Sequence, residues 1–297
     1  MKLGVVGSGV VGNAFYEGMK HAFDVVRYDK FNASRSDVQD IEVLCSEVDG
    51  PLFVCVPTPM NPDGSCNTEI IESVLQEIYQ ADFSMQTLCC GGKTRIVVIK
   101  STIPPGTTNW LNVKFSFRSA NGLPRSGLDI VFNPEFLTEA SPVEDFKKQD
   151  RIVLGGDAES IQIISEIYTL AYPNVTQVLG GATSSEMVKY VANCFLAMKV
   201  SFANEIYQIC KALDVDYNGV INTATLDKRL GSSHWQVPGP DGHFGFGLAC
   251  FPKDLNALMS LGKLLNVDVT MLDATWKKNL IARPEKDWEQ MKGRAVL

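Results

Sequence analysis

Residues 1–12, MKLGVVGSGVVG, set a short apolar strand directly ahead of Gly7, Gly9 and Gly12, and the residues that follow continue in a helical pattern. A GxGxxG pattern alone is weak, but between a strand and a helix it has the context that a dinucleotide-binding turn requires. The first two glycines permit a tight turn and close approach of the backbone to a pyrophosphate, whose charge then sits at a helix N-terminus. The third lets helix and strand pack closely. The next strand, FDVVRYD, ends at Asp29, 17 residues after Gly12. A carboxylate there accepts hydrogen bonds from the adenosine ribose and repels the extra phosphate of NADP, so NAD is favoured. FAD is left open by the turn alone, and the bland alternative is a strand-to-helix turn with a solvated aspartate.

Working outward, Val- and Ile-rich runs alternate with helical patterns: KLGVVG, FDVVRYD, PLFVCVP, RIVVIKST, LDIVFNP and RIVLGG. This alternation signals βαβ units and a parallel sheet, with segments such as TEIIESVLQEIY and ESIQIISEIYTLAY as covering helices. The expected class is α/β, with a sheet domain over residues 1–181 and a helical domain over residues 182–297. From Ser184 to about Leu213 neither Pro nor Gly interrupts a helix about 45 Å long. Its apolar residues, among them Met187, Val188, Val191, Phe195, Met198, Val200 and Phe202, circle most of the helix, so a dimer across it is expected. The loop rich in Gly and Pro before Cys250 and the polar tail from Arg283 are the weakly patterned parts.

The chain has 297 residues, 45% hydrophobic and 21% charged, which is ample core material for a globular protein of two domains. No run approaches the roughly 18 apolar residues of a membrane span, and the first residues lack a small-residue cleavage site. A soluble, untargeted, cytoplasmic protein is therefore expected. Eight cysteines, at 45, 55, 66, 89, 90, 194, 210 and 250, include no CxxC pair and accompany three histidines, which argues against zinc and against a disulfide scaffold. The net charge of −7, without clustered Lys and Arg, argues against nucleic-acid binding.

Several polar residues stand out in apolar surroundings. Lys189 and Asn193 are four apart on the long helix and share a face; a snorkelling lysine beside a helix-contact asparagine is the plain alternative. Cys250 follows GFGLA, a flexible glycine-containing loop, and precedes Lys253 and Asp254, where a nearby cation would stabilise a thiolate. A buried inert cysteine and an N-cap aspartate are the alternatives there. Glu135 and Glu139, four apart in NPEFLTEA, could line one side of a pocket or be ordinary acids of a solvated first helical turn. Thr102 in KSTIPPGTT sits at the carboxyl end of a strand, the edge at which open sheets bind ligands, or is simply a turn hydroxyl.

Taken together, GSGVVG, STIPPGTT, NPEFLTEASPVEDF, EMVKYVANCFLAMKVSFANE, DKRLG and GFGLACFPKD resemble, in order, motifs of the UDP-glucose and GDP-mannose dehydrogenase family over roughly residues 1 to 260. The resemblance implies a Rossmann-type domain followed by an all-α domain. It also implies NAD as cofactor, a nucleotide-sugar substrate and a homodimer through the central helix. Cys250 would be the nucleophile, Lys189 and Asn193 the oxyanion stabilisers, Asp254 with Thr102 the groups that position water, and Glu135 the general base. Val10, Val11, Val56, Pro57, Thr58, Ser101, Thr102, Glu139 and Lys253 would lie along the cofactor. Glu135, Phe136, Leu137, Lys189 and Asn193 would line the substrate, Gly245, Phe246 and Gly247 would close over it, and Arg229 would reach it across the dimer.

The implied reaction is the four-electron oxidation of UDP-glucose to UDP-glucuronate, in which a thiol keeps the intermediate aldehyde from escaping. GDP-mannose and UDP-N-acetylhexosamines are the other substrates the family suggests. A β-hydroxyacid-type two-electron dehydrogenase and a degenerate NAD-binding protein are the competing readings. Two departures from the family pattern are visible: Leu248 where the family usually has a second glycine, and an extra HWQVPGPDG stretch. The family's third, C-terminal domain has no counterpart in this sequence, so the nucleotide would have to be held without it.

Overall fold

Strand β1 (Lys2–Val6) lies between β2 (Asp24–Tyr28) and β3 (Leu52–Val54), parallel to both. Beyond β3 follow β4 (Arg95–Ile99), β6 (Ser126–Phe132), β7 (Arg151–Gly155) and β8 (Thr176–Gly180), while the two-residue β5 (Ser116–Phe117) pairs antiparallel with β6. The sheet order is thus β2-β1-β3-β4-β6-β7-β8, parallel except where β7 meets β6 at Phe132 and Gly155. The computed structural model of the chain describes residues 1–86, 94–117 and 126–297. Cys89 and Cys90 lie outside the described residues.

Successive side chains of a strand face opposite sides, and here they sort into two cores. Leu52, Val54, Val97 and Ile99 pack with α2 (Ile41–Glu47), α3 (Glu69–Gln86) and α4 (Thr107–Phe115). Leu3, Val5, Phe53 and Val98 pack instead with α1 (Val10–Met19), α5 (Pro142–Lys147) and α6 (Ala158–Ala171). Burial on both faces explains why these strands read as continuous apolar runs. The six expected strands all form. Strand β8 escaped notice because it is an edge strand with Val178 and Leu179 both more than 40% exposed, so its pattern carries no buried face.

The chain divides into two compact units, residues 1–58 with 68–189 and residues 59–67 with 190–297. The division falls inside the long helix α7 (Ala182–Ala212), after Lys189. The second unit also contains α8 (Tyr217–Ala224), α9 (Cys250–Leu264) and α10 (Thr270–Ala282). One face of α7, with Tyr190, Cys194 and Ala197, packs on Phe246 and Leu255. Val188, Val191, Phe195, Phe202 and Ile209 of the same helix are each 40% or more exposed, at spacings of three, four, seven and seven. The weakly patterned tail is ordered by local anchors: Trp288 is buried with Ala249 and Ala295, and Met60 N–H donates to the Ala295 carbonyl at 2.8 Å. No helix among the described residues is long and apolar enough to cross a membrane.

Candidate active site

The chain leaves β1 to run outward to β2, then returns to the other side of β1 to form β3, which puts a topological switch point at the carboxyl ends of β1 and β3. Open α/β sheets bind ligands at such a point. Gly7 stands there with φ +91°, a left-handed conformation natural to glycine. A Cβ on Gly12 would lie 1.8 Å from the Gly7 carbonyl oxygen, so only glycine lets helix α1 come this close. At Gly9, the N-cap of α1, an added Cβ meets nothing within 4 Å, and no side chain caps the helix. The first-turn N–H groups around Gly9, Val10 and Val11 therefore face open space at the positive end of α1, which suits a pyrophosphate.

Asp29 follows β2 and reaches the same turn. Its Oδ2 accepts the Ser8 N–H at 2.6 Å and its Oδ1 the Phe31 N–H at 3.0 Å. It is half-buried rather than solvated. Arg35, which the sequence did not single out, donates to the Ser8 carbonyl at 3.2 Å, and the buried Ser8 hydroxyl has no hydrogen-bond partner. A donor-rich turn, an acceptor carboxylate beside it and an orphaned hydroxyl fit a dinucleotide. The neighbouring strand ends are laced together, with Ser101 Oγ donating to the Val56 carbonyl at 2.6 Å and Thr58 Oγ1 to the Thr102 carbonyl at 2.8 Å. Pro57 lies exposed between Val56 and the buried Thr58.

Residues 133–140 are not helical, so Glu135 and Glu139 do not lie on one helical turn as their spacing suggested. Pro142 opens α5 only afterwards, and Glu139 is exposed while Glu135 turns inward. Lys189, 3% exposed, donates to the Glu135 carbonyl oxygen at 2.6 Å and to its Oε1 at 3.0 Å. The Leu137 N–H donates to Glu135 Oε2 at 2.6 Å. Burial pushes the Glu135 carboxyl up, but the Lys189 charge, the Leu137 N–H and the Lys100 charge outweigh it, and its pKa lies below the usual value. The Lys189 ammonium is 5.4 Å from the Phe136 ring, which also carries the Arg151 guanidinium at 4.1 Å. Lys189 is thus a buried, paired cation and does not snorkel. Beneath this group Lys100, also buried, donates to Asn133 Oδ1 at 2.8 Å, and burial lowers its pKa to about 8.

In the second unit Cys250 is the first residue of α9 and is half-buried. The N-cap is Ala249, and Asp254 lies within the helix, 1% exposed, which overturns its reading as a cap. Asp254 Oδ2 accepts from Asn193 Nδ2 at 2.6 Å and Oδ1 from Lys253 Nζ at 2.5 Å. Burial disfavours the Lys253 ammonium, but Asp254, Cys66 and Cys250 outweigh it and raise its pKa. Cys250 therefore lies within electrostatic reach of a permanent cation, as a reactive thiol needs. Cys66 shares that cation, and nothing in its sequence neighbourhood marked it.

The glycine loop is held rather than flexible. Gly245 has φ +67°, and the Asn279 side chain accepts the Phe246 N–H at 2.7 Å while donating to its carbonyl at 2.9 Å. Gly247 packs against Arg283 and Asp287, and Leu248 adopts φ +59° where the family pattern has glycine. Arg229 is 89% exposed in its side chain and pairs with Asp227. Each unit thus gathers one part of the candidate set: Glu135, Lys189, Ser101 and Thr102 in the first, Asn193, Cys250, Lys253 and Asp254 in the second.

A glycine turn at the switch point of a mostly parallel sheet, faced by an acceptor carboxylate, defines a Rossmann-type dinucleotide-binding protein. The chain belongs to the UDP-glucose/GDP-mannose dehydrogenase family: residues 38–171 match its NAD binding domain and residues 183–280 its central domain. NAD is accordingly the cofactor of the first unit. The UDP-glucose 6-dehydrogenase of Rickettsia prowazekii is 32% identical over 265 residues, which cover 89% of this chain and 55% of that protein. A UDP-glucose dehydrogenase structure from Pyrobaculum islandicum superposes with a TM-score of 0.81 at 29% identity, covering 98% of this chain and 70% of that one. A GDP-mannose dehydrogenase from Pseudomonas aeruginosa, at 24% identity and a TM-score of 0.65 over 99% of this chain and 71% of that one, shares the fold. The chain spans about half the length of the curated relatives it matches.

Proposed function

We propose that this chain is an NAD-dependent nucleotide-sugar dehydrogenase that oxidises UDP-glucose to UDP-glucuronate through covalent intermediates on Cys250. The observation that carries the reading is the buried network in which Asn193 of α7 donates to Asp254, and Asp254 pairs with Lys253, in the helix that Cys250 begins. NAD would supply the hydride acceptor, two equivalents per sugar. Gly9, Val10 and Val11 would hold its pyrophosphate and Asp29 its ribose, with Val56, Pro57, Thr58, Ser101, Thr102, Glu139 and Lys253 as the other residues toward it.

Glu135 takes the hydroxyl proton, and with Lys189 at 3.0 Å it is a weak base that does so only as the hydride leaves. The Cys250 thiolate then adds to the aldehyde carbon, and Lys189 and Asn193 donate to the resulting oxyanion. Loss of the second hydride converts this thiohemiacetal to a thioester. A water molecule positioned by Asp254 and Thr102 attacks the thioester carbon, and the C–S bond breaks to return the thiol and release the carboxylate.

The exposed stripe on α7 repeats at near-heptad spacing, which supports a homodimer across this helix, with Arg229 reaching the partner's substrate and Gly245, Phe246 and Gly247 closing over the sugar with Phe136 and Leu137. Use of NAD and a nucleotide sugar would suit an enzyme of the cytoplasm. The decisive experiment incubates the protein with UDP-glucose, GDP-mannose and UDP-N-acetylhexosamines while following NADH. Two NADH per UDP-glucose are expected, and Cys250→Ser should lose net turnover. One NADH per sugar, or an active Cys250→Ser, would reject the reading.

A further inference from the structure

Asn279, Arg283 and Asp287 are spaced four apart at the end of α10 and in the turn beyond it, and all three meet the loop ahead of Cys250. Asn279 is fully buried and holds Phe246 by both its N–H and its carbonyl. The Asp287 carboxylate grips the Arg283 guanidinium with two bonds, at 2.8 and 3.0 Å, and accepts the Leu248 N–H at 3.0 Å. The remaining arm of Arg283, whose side chain is 2% exposed, donates to Asp241 at 2.7 Å and so ties in the stretch that is extra relative to the family pattern. Gly247 fits beside the ion pair only because it lacks a side chain: a Cβ would lie 2.3 Å from Asp287 Oδ1 and 2.4 Å from Arg283 Cζ.

The strained residue in this group is Leu248, at φ +59°. Left-handed backbone crowds the Cβ of any residue but glycine, so leucine needs a compensating contact to stay there. The charge-assisted bond from its N–H to Asp287 is such a contact, and it stands two residues ahead of the sulfur. Ala249, between them, is buried with Trp288. The course of the backbone through Leu248 therefore decides where α9 begins and where its first side chain points.

We infer that Asp287, oriented by Arg283, is a positioning residue that holds Leu248 in its left-handed conformation and thereby fixes the Cys250 sulfur at the first turn of α9. Its relevance to turnover rests on the covalent reading given above. Without the carboxylate Leu248 relaxes to extended backbone, the first turn of α9 unwinds, and the thiol loses the helix N-terminus and the Lys253 charge.

The test is the rate at which iodoacetamide alkylates Cys250 at neutral pH, followed by peptide mass spectrometry on the full chain. Asp287→Ala should slow it about fivefold, the factor that left-handed strain in one residue represents. Leu248→Gly should react like the parent, and the double variant should regain the parent rate, because glycine adopts this conformation unaided. Loss of packing alone would not be rescued in this way. Arg283→Lys, which keeps the charge but not the two-pronged grip, should give a smaller slowing that Leu248→Gly also reverses, and it serves if Asp287→Ala fails to fold. An unchanged rate in Asp287→Ala, or slowing that persists in the double variant, would overturn the inference. Alkylation needs no sugar or NAD, so turnover by Cys250→Ser would reject the covalent reading and leave this series to be judged alone.

Discussion

The Lys189 ammonium lies 3.0 Å from the Glu135 carboxylate, and both side chains are at least nine-tenths buried. Removing one member strands the other charge, at a cost of about 3 to 5 kcal/mol, whereas removing both is far milder. Lys189→Met and Glu135→Gln should each lower the urea midpoint strongly, and the double variant should recover much of the loss. Additive losses would contradict this coupling. The pH dependence has a definite sign. The folded pKa of Glu135 is depressed, so its contribution is present above the ordinary carboxylate value and is lost as pH falls through the folded one. The parent should therefore lose more stability on acidification than Glu135→Gln does.

Lys100 shifts the balance at the other end of the scale. Its pKa falls to about 8 from 10.5, so between those values the unfolded chain binds more protons and stability rises with pH. The buried charge costs about 3 kcal/mol below that window. The slope of the urea midpoint against pH, from neutral to alkaline, should be more positive in the parent than in Lys100→Met. A variant with the same slope as the parent would show that the rise has another source.

The glycines of the turn separate stability from binding. Gly12→Ala forces a Cβ to within 1.8 Å of the Gly7 carbonyl and should destabilise the first unit by about 1 to 3 kcal/mol or more. Gly9→Ala meets nothing within 4 Å and should leave the melting temperature unchanged. Its methyl group takes the room proposed for the pyrophosphate, so NAD affinity should drop roughly tenfold, about 1.4 kcal/mol. Calorimetric titration with NAD would detect the difference, and unaltered affinity in Gly9→Ala would place the pyrophosphate elsewhere.

Asp254→Asn keeps a hydrogen-bonding side chain but loses the charge proposed to activate water. Turnover should fall about a hundredfold or more, as for loss of a general base. An acylated Cys250 should then accumulate and appear as a mass increase on its peptide. Slow turnover with no such adduct would assign Asp254 a purely structural part.

The turn, the strands and the long helix were legible because each is a local pattern: glycines against a strand, apolar runs, and uninterrupted helical spacing. Lys189 and Asn193 were legible as polar residues on an apolar helix, although their partners, Glu135 and Asp254, lie 54 and 61 residues away in sequence. Spacing misled at Glu135 and Glu139, since a four-residue interval means a shared face only in a helix. Asp254 resembled a cap because acids are common at helix starts, but the helix begins at Cys250, and Asp254 lies inside it and buried. Asn279 at the end of α10, and Arg283 and Asp287 in the polar tail, stayed hidden because what they hold lies 33 to 42 residues upstream and has no local signature.

Residues 59–67 belong with residues 190–297, and Met60 pairs with the tail at two points, its N–H donating to the Ala295 carbonyl and its carbonyl accepting from the Leu297 N–H. The helical half is consequently woven from two separate stretches of polypeptide. A fragment begun at residue 190 would lack its own edge, exposing Trp288 and the sulfur-bearing helix to a missing neighbour, so excision requires a redesigned splice that carries the short early stretch along.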